Sequence, residues 1–464
     1  MTASGAAGLS RSVGLATACA LLLLLATNSL VSAEPQGGDW TSLTYDNGNS
    51  RYQDASTVTA ANAASLEQAW TFQTQFSISS TPTVSDGVVY FADWGGNVYA
   101  VNVADGSLDW ESNLGAPISS TLLISDGMVY AEAGPTEAEV FALSQVSGAV
   151  VWSTAIHGTM PSSWTSPIEY NGLIYIGLAS NGISENNRTQ AGEIDAVSAS
   201  TGQVVWRFVA GGTAGGAGIW GSPVVDPALG SIYIGTGNTF SNRGTSGNAY
   251  SIVSLNAMTG SLNWAHQFYK NLLTGRDNDF GSSGNLFSVT INGQTYQALG
   301  LGNKNGDYYV LDRTNGQVLR TYSVGTSLGG VIGLAGFFYL SQNNPEVFIP
   351  SAYNHKLTNR NYQGVVEALV PSTSTIAWKF LTPGNMLGSV ALAPGLVIFG
   401  DAFGNVYALS TSNGKALWQT KLPYSVEGGV TIAEGHVLVG DFDNGGSSPT
   451  GLGLFAYVPS QELQ

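Results

Sequence analysis

Trp220 sits among glycines in GIWGSPVVDPALGSIYIGTGN (218–238), and Asn238 closes that run in a Gly-Thr-Gly-Asn turn. An indole so placed offers a broad uncharged face, and a turn amide offers a fixed oxygen. In GRDNDFGSS (275–283), Asp277 and Asp279 stand two apart; two acids on one loop can hold a hard cation, and a single one can take a proton. Glu185, in GISENNRTQAGEIDA (182–196), adds a carboxylate just ahead of what reads as a blade's inner strand, and Lys304 adds an ammonium before Asn305-Gly306. Each has a plainer reading. Trp220 can be a packing aromatic, Glu185 a solvated loop acid, the Asp-x-Asp a solvated turn, and Lys304 the start of a hairpin.

Residues so far apart need a frame, and the sequence supplies one by repetition. VYAVNVADGSLDW (98–110), VFALSQVSGAVVW (140–152), EIDAVSASTGQVVW (193–206), SIVSLNAMTGSLNW (251–264), DYYVLDRTNGQVLR (307–320), VVEALVPSTSTIAW (365–378) and VYALSTSNGKALW (406–418) share one pattern. A small or apolar residue lies ten before the last, which is Trp in six of seven and Arg320 in the fifth. Gly lies four before the end except in the sixth, which has Ser374. Alternating runs joined by Asp-Gly or Thr-Gly read as strand, turn, strand. A second hairpin signature, such as Asp86-Gly87 before VVYFA, precedes most units, so each repeat supplies about four short antiparallel strands. Spacings of 40 to 58 residues between unit ends, Trp in all but the fifth, match four-stranded propeller blades. LEQAWTF (66–72) and GLGLFAY (451–457) are each half a unit; joined, they make an eighth blade and close the ring. The fold expected is therefore all-β, an eight-bladed β-propeller over residues 34–464. The repeat tryptophans are expected to wedge neighbouring blades rather than to do chemistry.

Composition excludes several function classes. The chain has 15 Lys+Arg against 31 Asp+Glu, a net charge of −16, which argues against nucleic acid or an anionic membrane as partner. Residues 1–33, with Arg11, an apolar run around Leu21 to Ala26 and Val31-Ser32-Ala33, have the layout of a cleaved secretory signal, too short to span a membrane. A secreted or periplasmic location follows as an expectation. The single cysteine, Cys19, lies in that segment, leaving no thiolate metal site, disulfide or covalent haem attachment in the rest. His157, His266, His355 and His436 have no ligand spacing, while GAGIWG (216–221), GTSLG (325–329) and the acidic GDFDNGGSS (440–448) read as chance matches and a solvated loop.

Trp-Gly, Asp-Pro, an Ile-Tyr-Ile strand and Gly-Thr-Gly-Asn resemble the floor segment of the quinoprotein alcohol dehydrogenases, eight-bladed propellers that bind pyrroloquinoline quinone (PQQ) and a metal. The resemblance runs from WTSLTYDNGNSRY (40–52) to the seventh blade, and LGLGNKNGDYYVLDRTNG (299–316) is most similar to the polyvinyl-alcohol-dehydrogenase-like branch. It implies that Trp220 stacks on the quinone and that Lys304 holds the quinone oxygens at the reacting carbonyl. It implies that Glu185, Asn238, Asp277 and Asp279 bind Ca²⁺ or a lanthanide, and that Asp277 is the base. An alcohol, small or polymeric, would be oxidised, with electrons passed to a separate acceptor. The adjacent cysteine pair of many family members and the arginine their second blade carries are absent from this sequence. The alternatives are a cofactor-free repeat propeller serving as an extracytoplasmic scaffold, and a carbohydrate- or polymer-binding propeller.

Overall fold

The computed structural model describes residues 38–134, 138–156, 164–179, 191–213, 215–239, 247–269, 278–325, 330–354, 363–443 and 452–460. Their strands pair into eight four-stranded antiparallel sheets. Seven follow chain order. Blade 1, for example, runs Thr83–Ser85, Val88–Ala92, Asn97–Asn102, Leu108–Asn113 from axis to rim. Blade 8 is composite: Leu66–Gln73 pairs with Gly453–Pro459, which continues into His436–Gly440 and Thr431–Ala433, so the chain ends meet in one sheet as expected.

Local chemistry accounts for the strands. Asp86 and Gly87 both take positive φ, 51° and 79°, the requirement of the tight hairpin turn whose twist matches its strands. In blade 1 the inner strand is buried, the third nearly so, and the outer strand alternates toward solvent.

The tryptophans wedge the blades by a specific contact. Trp110 Nε1 donates to Gln145 O at 3.0 Å and Trp152 Nε1 to Ala199 O at 3.0 Å; Trp418 Nε1 reaches Leu66 O at 2.8 Å, across the seam that closes the ring. Each of the first two indoles also lies on the turn glycine of the next blade: a Cβ on Gly148 would fall 2.4 Å from Trp110 Cε3, and one on Gly202 2.6 Å from Trp152 Cε3. This contact explains the two exceptions in the repeat together. Blade 5 ends in Arg320, so no indole lies on the sixth unit's turn, and Ser374 is accommodated there at φ 58°. Tyr322 Oη supplies the missing link between blades, donating to Pro371 O at 2.9 Å.

In such blades, the loops from outer strand to next inner strand and from second to third strand emerge on one face. Trp220, Asn238, Asp279 and Lys304 all lie in them. At the other end of the axis, residues 40–53 cross beneath the ring. Trp40 bridges to Val84, while the buried Arg51 donates to Val390 O, Leu43 O and Val430 O under an indole 5.1 Å away, that of Trp40.

Candidate active site

Eight-fold repetition places two stacked rings of side chains around the axis. Two residues before each inner strand lies a lower ring: Thr81, Thr121, Ser166, Ser222, Ser283, Leu334, Ser389 and Gly429. Two residues earlier lies an upper ring: Ser79, Ser119, Trp164, Trp220, Gly281, Ile332, Leu387 and Glu427. Together, with Trp94 and with Leu43 from the crossing segment, they line a cavity of about 270 Å³.

Around much of the lower ring runs a belt of hydrogen bonds in which a hydroxyl accepts the amide of the preceding blade. Gly429 N–H donates to Thr81 Oγ1 (2.9 Å), Thr81 N–H to Thr121 Oγ1 (2.9 Å), Thr121 N–H to Ser166 Oγ (2.9 Å) and Ser166 N–H to Ser222 Oγ (2.7 Å). The belt then breaks at blade 5, where Ser283 Oγ is buried with no hydrogen-bond partner among the described residues. A buried hydroxyl left unmatched costs on the order of 1–3 kcal/mol, which makes this position one where a further partner would be stabilising.

Trp220 stands directly above this break. Its indole lies across the place of Gly281, where a Cβ would fall 1.9 Å from Cη2, and its Nε1 is buried without a partner among the described residues. The Lys304 Nζ is 4.3 Å from the indole centroid, a cation over an aromatic face, and 3.4 Å from Asp279 Oδ2. The backbone fixes this pair, because Lys304 N–H donates to Asp279 O at 3.0 Å. Asn238 joins through its Oδ1, which accepts Asn278 N–H at 3.4 Å, and its carbonyl accepts Ala217 N–H at 2.7 Å beneath the glycine run. Asn303 Nδ2 ties the same loop down by donating to Asn278 O at 2.9 Å.

Four sequence-predicted residues thus come together: Trp220, Asn238, Asp279 and Lys304. Glu185 and Asp277 lie outside the described residues. The segment with Glu185 precedes the third strand of blade 3, Glu193–Ser198, rather than an inner strand, because the alternation of that strand is indistinguishable from that of its neighbours. Among the described residues no group of three or more carboxylate, imidazole or thiol side chains could hold a metal, so the proposed cation depends on those two. The hairpin reading of Lys304 also holds, since Gly306 N–H donates to Asn303 O at 3.0 Å. The loop after Gly440 is not merely solvated: Asp441 is buried and accepts Gly453 N–H at 2.9 Å.

An indole plate, an ammonium beside it, and amide and carboxylate oxygens one loop away fit a flat anionic group with a hard cation. The unmatched Trp220 Nε1 and Ser283 Oγ and the glycine that lets the plate lie flat support that fit.

Sequence reasoning missed Trp94, Trp164 and Glu427. Trp164-Thr165-Ser166-Pro167 and Trp220-Gly221-Ser222-Pro223 put tryptophan at the same ring position in adjacent blades, a signal present in the sequence. Trp94 and Lys304 are likewise matched, each following the residue that ends the second strand's run, Asp93 and Asn303, in blades 1 and 5. Burial raises the Glu427 carboxyl to about 7, partly offset by the Ser425 hydroxyl.

A family profile described as the β-propeller domain of glucose, ethanol and alcohol dehydrogenases matches residues 40–147 and 157–322, and one for the outer membrane protein assembly factor BamB matches 362–450. The chain is 26% identical over 343 residues to the quinohemoprotein alcohol dehydrogenase ADH IIB of Pseudomonas putida, covering 63% of this chain and 48% of that protein. It is 25% identical over 423 residues to a polyvinylalcohol dehydrogenase of Pseudomonas sp, covering 78% and 64%. Among solved structures, the quinohemoprotein alcohol dehydrogenase of Comamonas testosteroni superposes with a TM-score of 0.78 at 19% identity, over 92% of this chain and 81% of that one. At such identity the likeness is one of fold. The chain spans about half the length of the first of its curated relatives.

Proposed function

Because the chain belongs to the β-propeller family of glucose, ethanol and alcohol dehydrogenases, we propose that it is a PQQ-dependent dehydrogenase that oxidises an alcohol with Ca²⁺ or a lanthanide bound. The observation that carries this reading is the Lys304 ammonium held between the Trp220 face and Asp279. When bound, the quinone would supply a hydride acceptor and the cation a Lewis acid. Trp220 provides the plate on which the flat group lies. Lys304 neutralises anionic oxygens at its edge, in a chain otherwise acidic. Asn238, Glu185, Asp277 and Asp279 offer oxygens to the cation, and Asp277 takes the hydroxyl proton as general base. Electrons leave to a separate acceptor. The alcohols and polyvinyl alcohol in the relatives' names bound the class; secretion to the periplasm or beyond is part of the same proposal.

The scaffold alternative draws on the assembly-factor profile, which matches residues 362–450 only, from the outer half of blade 6 into blade 8. The dehydrogenase profile spans Trp220, Asn238, Asp279 and Lys304, which favours the enzyme. The test is to load the purified protein with PQQ and Ca²⁺ or a lanthanide and follow dye reduction with a panel of alcohols. Asp277→Asn should abolish turnover while sparing quinone binding, and Glu185→Ala should weaken metal retention. Parent-like behaviour of both variants would sink the assignment.

A further inference from the structure

The cavity has a second pole. Trp94 Nε1 donates to Ser79 Oγ at 2.8 Å, which pins that indole over a small residue of the upper ring. Trp164 lies 6.0 Å from it, centroid to centroid, at 59°, and Phe442 meets it edge-on at 5.6 Å. Phe76 packs on Gly95, where a Cβ would come within 2.2 Å of its ring. Trp164 and Phe76 are each 45% exposed, so this wall stands open at the loop face. Ser79, Ser119 and Glu427 intersperse hydroxyls and a carboxyl among the rings, and no lysine or arginine is among the described residues lining the cavity.

An anionic ligand has no counterion at this pole and belongs at Lys304. Aromatic faces interleaved with hydroxyl and carboxyl oxygens instead suit a neutral chain whose C–H surface stacks while its hydroxyls hydrogen-bond. We propose that Trp94 and Trp164, backed by Phe442, form a specificity-determining subsite for a polyhydroxylated carbon chain, in the same cavity as Trp220. This rests on the dehydrogenase reading for its catalytic meaning, though not for binding. One hydroxyl of such a chain is presented at the Trp220 end while the rest lies along the surface that the two touching indoles make together. A short alcohol such as 2-butanol cannot reach both ends.

The test titrates the full-length protein, with and without PQQ and Ca²⁺, with a vinyl-alcohol oligomer of defined length, with 2-butanol and with benzyl alcohol, by calorimetry. Trp164→Ala and Trp94→Ala should each weaken oligomer binding roughly tenfold, the effect of about one lost aromatic contact, and raise its KM alike. KM for 2-butanol and kcat should stay within about twofold, and Trp164→Phe should restore most of the affinity. Trp220→Ala should lose PQQ yet bind the oligomer normally without cofactor. Equal effects on both alcohols, parent-like oligomer binding in both variants, or tighter binding of benzyl alcohol than of the oligomer overturns the subsite. If no alcohol is oxidised by the loaded protein while oligomer binding still depends on Trp164, the dehydrogenase reading fails and the subsite stands.

Discussion

Gly281→Ala isolates the plate on which the site is built. The backbone at Gly281 is not in the left-handed region, so alanine is tolerated there except for what its Cβ meets. It meets Trp220: 1.9 Å to Cη2, 2.1 Å to Cζ2 and 2.4 Å to Cζ3, where ordinary contact begins at 3.4 Å. The indole must retreat by about 1.5 Å or swing off its seat. Overpacking of this kind costs about 1–3 kcal/mol, and the displaced ring forfeits roughly 0.5–1 kcal/mol of attraction to the Lys304 ammonium. A loss of about 2–3 kcal/mol in urea unfolding is expected, with PQQ Kd raised at least tenfold as the plate tilts. Making the same change in a Trp220→Ala background tests the cause, because with the ring gone the added methyl should cost under about 0.5 kcal/mol. Equal penalties in both backgrounds would mean that the indole does not lie across Gly281, and the geometry argued for the site would be wrong.

Other expectations follow from the same structure. Lys304→Met leaves Asp279 without its ammonium and should raise PQQ Kd roughly ten- to a hundredfold, read by fluorescence quenching, while the far-ultraviolet spectrum is unchanged. Gly414→Ala, at φ 69° and with its Cβ 2.7 Å from Trp378, should destabilise by about 2 kcal/mol or more, whereas Ser374→Gly, facing no indole, should be neutral or stabilise by up to about 1 kcal/mol; thermal unfolding compares them. Glu427 titrates near 7 when folded against 4.5 unfolded, so between those values the folded chain holds a proton that the unfolded chain has released. Stability should fall as pH rises through that window and level off above it. Glu427→Gln should flatten the slope by its share, at most about 3 kcal/mol and less for a carboxyl partly open to solvent.

The ring was legible because one contact recurs. Trp110 on Gly148 and its counterparts need both residue types at fixed separation, so the pattern survives wherever the wedge does and lapses on both sides where Arg320 removes it. Trp220 was legible because it falls outside that register. Trp164 was not, although WTSP and WGSP are nearly the same words, because a residue's angular position on the axis is counted from the start of an inner strand, and three-residue strands such as Ile168–Tyr170 leave little alternation to find. Asp441 was misjudged from its polar neighbours. Its equivalents Asp93 and Asp401 directly follow the second strands of blades 1 and 7 and turn inward: Asp93 Oδ1 accepts Gly95 N–H at 2.9 Å, and Asp401 Oδ1 accepts Phe403 N–H at 2.9 Å. Composition describes a loop's exterior and is silent about the one acid that caps it from within.

A propeller offers eight nearly equivalent seats at each level of its axis, and chemistry requires that they differ. The lower ring keeps equivalence, hydroxyl to amide, through blades 8, 1, 2, 3 and 4, and loses it at blade 5, where Ser283 stands unmatched below Trp220. The second-to-third-strand loops differ in charge across the axis. Blade 5 presents Lys304 and blade 1, on the opposite side, presents Trp94 at the matching place. A cation at one pole and indoles at the other sort an anionic ligand from a neutral one without any change in the sheets beneath. Exchanging those two residues, Lys304→Trp with Trp94→Lys, should therefore preserve the fold, since both sit at the loop face. It should abolish PQQ binding, because the ammonium would then stand across the axis from Trp220 and Asp279. Retention of parent-like PQQ affinity by the exchanged protein would mean that charge placement around the axis does not select the ligand.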